Sequence, residues 1–197
     1  MTFLIGLTGS IGMGKTTTAK IFEKFGCNCW NADNAVERLY RKGGEAVSPI
    51  SRMFPEAIKN GSVSKDVLRE VVLKDYEKLY SLEKIIHPLV EKDRLSFIKR
   101  QTGKVSVLDI PLLFETGAEK SVDAVVCVFI DSEEQKSRVL SRKVMTEEQF
   151  MQILRKQLPI KTKMEKSDYV IKTESLDSVR AQVLEILKEI CKKQKYA

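Results

Sequence analysis

The segment Gly9-Ser10-Ile11-Gly12-Met13-Gly14-Lys15-Thr16 constrains the fold more than any other part of the chain. It fits the pattern G-x-x-x-x-G-K-[ST], and its setting makes the pattern meaningful. Phe3 to Leu7 is a short apolar run that ends in Thr8-Gly9, and Lys15 to Phe25 has helical spacing through Ala19, Phe22 and Phe25. A strand, a glycine loop and a helix in that order aim backbone N–H groups and a helix N-terminus at one point, where a phosphate fits. Lys15 then supplies a point charge for the outer phosphates of a nucleoside triphosphate, and Thr16 a hydroxyl for Mg²⁺.

The rest of the chain reads as further sheet with an insertion. Gly26 stops the first helix, Cys27 to Asn31 is a second strand, and Asp33 sits just past its carboxyl end. From about Asn34 to Gln101 the pattern is helical, with breaks expected at Gly43-Gly44, Ser48-Pro49, Phe54-Pro55, Asn60-Gly61 and His87-Pro88, which predicts an inserted helical module. Val105 to Leu108 is a third strand ended by Asp109, Ala124 to Ile130 an apolar fourth of the buried parallel kind, and Tyr169 to Ile171 a short fifth. A basic helical stretch between the last two includes Gln135, Arg138, Arg142, Lys143 and Arg155; Thr146 with Gln149 predicts a capping box and Pro159 a helix end. The last helix, roughly Leu176 to Lys193, carries Val179, Val183, Ile186, Leu187 and Ile190 on one face, a core stripe.

Composition sets the outer limits. With 197 residues, 43% of them hydrophobic and 31% charged, the chain is long enough for one core and an inserted module. It contains no run of about 18 apolar residues to span a bilayer, and a glycine loop follows the first strand directly, so a soluble, cytoplasmic protein is expected. Cys27, Cys29, Cys127 and Cys191 lack zinc or redox spacing and read as buried free thiols. The net charge of +7 suggests an anionic partner, but the surplus at Lys188, Lys192, Lys193 and Lys195 reads as a solvated helix end rather than a nucleic-acid patch.

Triphosphate binding serves many reactions. No N-K-x-D, no D-x-x-G switch and no large ATPase core accompany the loop, so a small-molecule kinase is favoured. Such an enzyme needs a group near the acceptor hydroxyl. Asp33 stands at a strand's carboxyl end, where open α/β sheets hold ligands, and either orients or deprotonates that hydroxyl or caps the helix from Asn34 to Tyr40. Asp109, at the same edge, either holds Mg²⁺ through water or the acceptor, or forms a turn before Pro111. Phe114 reads as core, and Glu115 has no assigned place. Arg138 and Arg142, four apart, would share a helix face, either as phosphate clamps or as a solvated basic face. His87 either caps a helix starting at Pro88 or belongs to the site.

Taken together, the Thr8-to-Thr17 loop, Ala32-Asp33, Leu82-Glu83 with His87-Pro88, Asp109-Ile110-Pro111-Leu112-Leu113-Phe114-Glu115 and Gln135-Arg138-Arg142-Gln157 resemble bacterial dephospho-CoA kinase over nearly the whole chain. The phosphate loop is common to many families, whereas the D-x-P-L-L-F-E run is far more particular. The resemblance implies transfer of the ATP γ-phosphoryl group to the ribose 3′-hydroxyl of dephospho-CoA, with Mg²⁺. It implies a P-loop NTPase three-layer α/β/α fold with a five-stranded parallel sheet. Residues 1–33, 102–131 and 166–197 would form the nucleotide-binding core, 34–101 a helical domain for the CoA moiety, and 132–165 a lid.

By the same resemblance Asp33, Lys15 and Arg142 are catalytic, and Gly9 to Thr17 with Arg138 and Arg142 bind the nucleotide. Thr8, Asp33, His87, Asp109, Pro111 and Leu112 face the acceptor, and Thr16 and Asp109 the metal. The partner is a small molecule, neither nucleic acid nor membrane, and no feature fixes an oligomeric state. Four positions depart from the family pattern: Asn31 replaces the first Asp of D-A-D, Val36-Glu37 precede Arg38 where Ala-Arg is usual, Lys65 replaces Arg, and Thr173 replaces Asn. Another kinase of this fold, acting on a nucleotide or metabolite, is the alternative; a nucleic-acid or regulatory ATP-binding module is a more distant one.

Overall fold

The strand leading into the glycine loop, β1 (Phe3–Thr8), is followed by α1 (Lys15–Lys24), β2 (Asn28–Asn31) and α2 (Ala32–Tyr40). Next come α3 (Val47–Met53), the two-residue strands β3 (Ile58–Lys59) and β4 (Ser62–Val63), α4 (Lys65–Leu73) and α5 (Tyr76–Lys99). The chain returns to the sheet as β5 (Val105–Asp109) and β6 (Ala124–Phe129), then runs through α6 (Ser132–Leu140), α7 (Glu147–Arg155), α8 (Ile160–Glu165), β7 (Tyr169–Lys172) and α9 (Leu176–Lys195). This computed structural model describes residues 2–73, 75–102 and 105–195, without the side chains of Leu73, Gln194 and Lys195. The Lys195 side chain of the basic tail, residues 1, 103–104 and 196–197 of the expected core segments and residue 74 of the expected helical module lie outside the described residues.

Two compact units form, Met1–Cys29 with Thr102–Ala197 and Trp30–Gln101. In the first, the five-stranded sheet has the order β2-β5-β1-β6-β7. β1 pairs in parallel with β5 from Phe3↔Val105 to Leu7↔Asp109, and with β6 from Ile5↔Ala124 to Thr8↔Cys127. β6 pairs in parallel with β7. Because β1 is covered on both edges, the loop leaving its carboxyl end emerges at the middle of the sheet, beside the end of β5.

Alternation along the strands explains the layers. Ile5, Leu7, Val105, Val107, Val126 and Val128 share one buried cluster with Phe22 of α1 and Val179, Val183 and Ile190 of α9. The intervening Ser106, Leu108, Val125 and Cys127 point to the other face and are buried there as well. α8 packs against β6. A sheet buried on both faces needs helices on both, which is the three-layer α/β/α arrangement. The expected capping box at Thr146 and Gln149 is present, and the α9 stripe is core.

The second unit is built on α5, against which α2, α3 and α4 pack. Leu39, Tyr40, Ile50, Phe54, Val63, Leu68, Val72 and Ile86 form its core. Several expectations are corrected here. His87-Pro88 is not a break: α5 is one 24-residue helix with Pro88 inside it. Proline removes one helical hydrogen bond and crowds the preceding turn, but Leu82, Ile85 and Ile86 before it and Leu89 and Val90 after it pack into one core. Burial on both sides outweighs the local cost. Pro49 likewise lies within α3, in its first turn, where its missing N–H has no helical partner to lose. Asn60-Gly61 is the turn of a β3–β4 hairpin, both residues at positive φ, inside a module expected to be helical.

Candidate active site

The phosphate loop is shaped by backbone that side chains would obstruct. Gly9 has φ 146°, and a Cβ there would lie 2.5 Å from the Val128 carbonyl oxygen; Gly12 has φ 78°, and a Cβ would lie 2.4 Å from Val139 of α6. Thr8, Gly9, Ser10 and Met13 are buried, while Thr16 and Thr17 are exposed at the start of α1. The Lys15 ammonium folds over the loop and donates to the carbonyls of Gly9 at 2.7 Å and Ser10 at 3.2 Å. α1 begins after Gly14 with no side-chain cap and no acidic residue in its first turn. Its positive end therefore reinforces the charge of Lys15, which suits an anion.

Neighbouring elements hold the loop. Gln135 of α6 donates to the Ile11 carbonyl at 2.6 Å, and the Ile11 N–H donates to Gln157 Oε1 at 3.2 Å. Thr173 donates to the Met13 carbonyl at 3.1 Å. Arg138 in turn donates to the Thr173 carbonyl at 2.8 Å and hydroxyl at 3.2 Å, and to Glu134 at 2.9 Å. Gly14, Thr17, Arg138, Thr173 and Ser175 line a cavity of about 210 Å³ beside the loop. Thr173, one of the departures from the family pattern, thus fixes Arg138 along the wall of that cavity.

Arg138 and Arg142 do not share a helix face, contrary to expectation. α6 ends at Leu140, and the chain turns through Lys143 at φ 54°, leaving Arg142 exposed in the connection to α7. Periodicity reads helix through such a turn because Ser141 to Lys143 are all compatible with one.

Asp109 ends β5, only 2% exposed, opposite Leu7 in the register. The Ile110 N–H donates to the Leu7 carbonyl at 3.0 Å, carrying the following loop alongside the phosphate loop. Thr8 donates to the Pro111 carbonyl at 3.2 Å, and Leu112 is exposed. Leu113, not Phe114, enters the core; Phe114 is half-buried with the Lys166 ammonium 6.0 Å from its ring centroid. Glu115 finds a place the sequence did not give it. It accepts from the Leu158 N–H at 2.8 Å and pairs with Lys163, which is fully buried, at 2.8 Å. Burial raises the pKa of Glu115, but Lys163 and backbone N–H groups outweigh it and hold the carboxyl below its ordinary value. Lys163 lies inside the run Lys161-Thr162-Lys163, which looks solvated; the signal was that it follows Ile160 by three residues, on the same face.

The remaining candidates belong to the second unit. Asp33 is exposed in the first turn of α2 and does not cap it: Asn31 does, accepting from the Asn34 N–H at 2.9 Å. The amide that replaces the usual carboxylate thus has a structural task. His87 is exposed in mid-α5 and so caps no helix start. Behind α2, Asp93 accepts from the Trp30 indole at 2.7 Å and from the Arg38 guanidinium. The hydrogen bonds from Arg38, with help from Trp30, hold the Asp93 carboxyl below its ordinary value against the opposing effect of burial. Glu37 and Lys65, two further departures, meet each other at 3.1 Å on the surface. No cluster of three or more His, Cys, Asp or Glu suited to a metal occurs among the described residues. None of their helices is long and apolar enough to cross a membrane.

The chain is similar to known proteins over nearly its whole length. A family model described as dephospho-CoA kinase matches residues 3–178. A dephospho-CoA kinase from Ruegeria pomeroyi is 52% identical over 190 residues, covering 96% of both chains. A crystal structure from Thermus thermophilus superposes with a TM-score of 0.85 at 28% identity, covering 95% of this chain and 97% of that one. The dephospho-CoA kinase of Campylobacter jejuni superposes at 0.72 and 25% identity, covering 98% and 100%. A glycine loop on the central strand, the D-x-P-L-L-F-E segment beside it and a match across nearly the whole sequence have one common explanation: the chain belongs to the dephospho-CoA kinase family of ATP-dependent kinases.

Proposed function

We propose that the protein transfers the γ-phosphoryl group of ATP to the ribose 3′-hydroxyl of dephospho-CoA, giving coenzyme A. The observation that carries this reading is the phosphate loop, held by Gln135, Gln157 and Thr173 next to the loop after β5, in a chain of this family. Gly9 to Thr17 bind the phosphates, Lys15 neutralises charge that develops on them, and Arg138 lines the nucleotide cavity. Arg142, exposed on the connection after α6, completes the charge stabilisation when the lid of 132–165 closes. α8, packed on the sheet, serves as the fixed base of that lid.

Asp33 orients the 3′-hydroxyl and accepts its proton, and residues 34–101, including His87, hold the CoA moiety. Thr8, Pro111 and Leu112 border the acceptor. Thr16 and Asp109 offer hard oxygen donors, as Mg²⁺ requires, and a site with few protein ligands suits an ion held largely by phosphates. Thr16 and Asp109 would hold the ion, which when bound would supply positive charge to offset that of the phosphates. Four free cysteines and no disulfide fit a reducing cytoplasm.

A coupled assay of ADP release with dephospho-CoA, AMP, CMP, UMP, shikimate and gluconate as acceptors tests the reading. Turnover with dephospho-CoA should exceed that with every other acceptor by at least 100-fold. A preference for a nucleoside monophosphate or one of the two metabolites contradicts it.

A further inference from the structure

Lys163 is fully buried, where an ammonium is costly unless it is both paired and hydrogen-bonded. Its Nζ reaches Glu115 Oε1 at 2.8 Å and donates to the Pro111 carbonyl at 3.0 Å. That carbonyl also accepts from the Thr8 hydroxyl, at the root of the phosphate loop, and Glu115 Oε1 also accepts from the Leu158 N–H. Leu158 follows Gln157, whose side chain accepts from the Ile11 N–H within the same loop. One ammonium therefore closes a ring of directed bonds: Thr8, Pro111, Lys163, Glu115, Leu158 and, through Gln157, Ile11.

Stability alone is a weak reason for such a pair, since apolar side chains of similar volume fill a buried site as well or better. What an ammonium adds is direction. Pro111 has no N–H, so its carbonyl is the sole backbone group by which the segment can be held at that residue. We propose that Lys163 is a positioning residue for phosphoryl transfer, fixing Asp109 to Glu115 against the root of the phosphate loop so that metal and acceptor contacts stand in register with the γ-phosphate. The proposal rests on the kinase reading above. Small displacements of such contacts are costly because reacting groups must stand within about 3–3.5 Å and in line.

The test uses the full-length chain as Lys163→Met and as Lys163→Met with Glu115→Gln, the second removing both charges so that neither is left buried alone. Turnover is normalised to the fraction of enzyme that binds a fluorescent ATP analogue. In the double variant kcat with dephospho-CoA should fall at least fivefold, while the dissociation constant of the analogue stays within threefold of wild type. A loss smaller than fivefold overturns the proposal, because a merely structural pair is replaceable by a neutral one. A loss of nucleotide affinity that matches the loss of kcat overturns it too, since the effect would then lie on the phosphate loop. Wild-type turnover of dephospho-CoA, measured alongside, tests the acceptor assignment separately. If wild type prefers another acceptor, the same comparison is made with that one.

Discussion

At the scale of single residues, the readiest assignments were those with a motif around them and the hardest were those set by tertiary partners. Lys15 and the glycines follow from a local pattern whose chemistry is carried by the backbone. Lys163, Glu115 and Asp93 do not: each is a charged residue placed by a partner 48, 48 and 55 or more positions away. Asp33 lay between these cases, with base and helix cap both open from sequence. Since Asn31 supplies the cap, Asp33→Asn should cost the fold little, no more than the roughly 0.5 kcal/mol of a first-turn carboxylate. If Asp33 acts on the acceptor hydroxyl, the same change should lower kcat by about 10² to 10⁴ and leave ATP affinity within a few-fold. The loss is expected toward the lower end, because the hydroxyl proton leaves late in a loose transition state. Retention of more than about a third of wild-type kcat would remove Asp33 from the chemistry.

At the scale of elements, the strands were legible because a parallel sheet buried on both faces demands apolar runs, and β1, β5 and β6 have them. The errors came from proline and from turns. Pro88 and Pro49 read as boundaries from local sterics, yet packing along α5 and the first-turn position in α3 tolerate them. The α6–α7 connection read as helix because its residues allow one. The link between α2 and α5 also makes a testable unit.

Asp93 of α5 binds Trp30 and Arg38, and Trp30 is the chain's single tryptophan, so its fluorescence reports this junction directly. A carboxyl with a folded pKa below its unfolded value contributes stability above the unfolded value, near pH 4, and loses it as the pH falls through the folded value. The urea midpoint followed by Trp30 should therefore drop as the pH is lowered from 6 toward 3. Asp93→Asn should be less stable at pH 6 by about 1 kcal/mol, modest because Arg38 is partly exposed, and should show a shallower acid dependence. Parallel acid profiles for the two proteins would contradict the assignment.

At the scale of the whole molecule, the thiols illustrate how far composition alone reaches. Four scattered cysteines read as buried free thiols. Burial does push Cys27 and Cys127 up to about 11 and Cys29 higher still, but Cys191 stands exposed on α9. Fold class and family were legible because a local motif, the order of strands and a set of spaced segments agree across nearly the full length. The division of labour between the units was legible only as an expectation, since it depends on what each unit binds.

That dependence makes product identity the most direct measurement. Enzyme, Mg-ATP and dephospho-CoA are incubated together, with 3′-deoxy-dephospho-CoA as the parallel acceptor, and the new phosphate is located by ³¹P NMR. The account predicts a 3′-phosphomonoester on dephospho-CoA and no transfer to the deoxy analogue. Phosphate appearing at another position, or equal transfer to the 3′-deoxy compound, would contradict it.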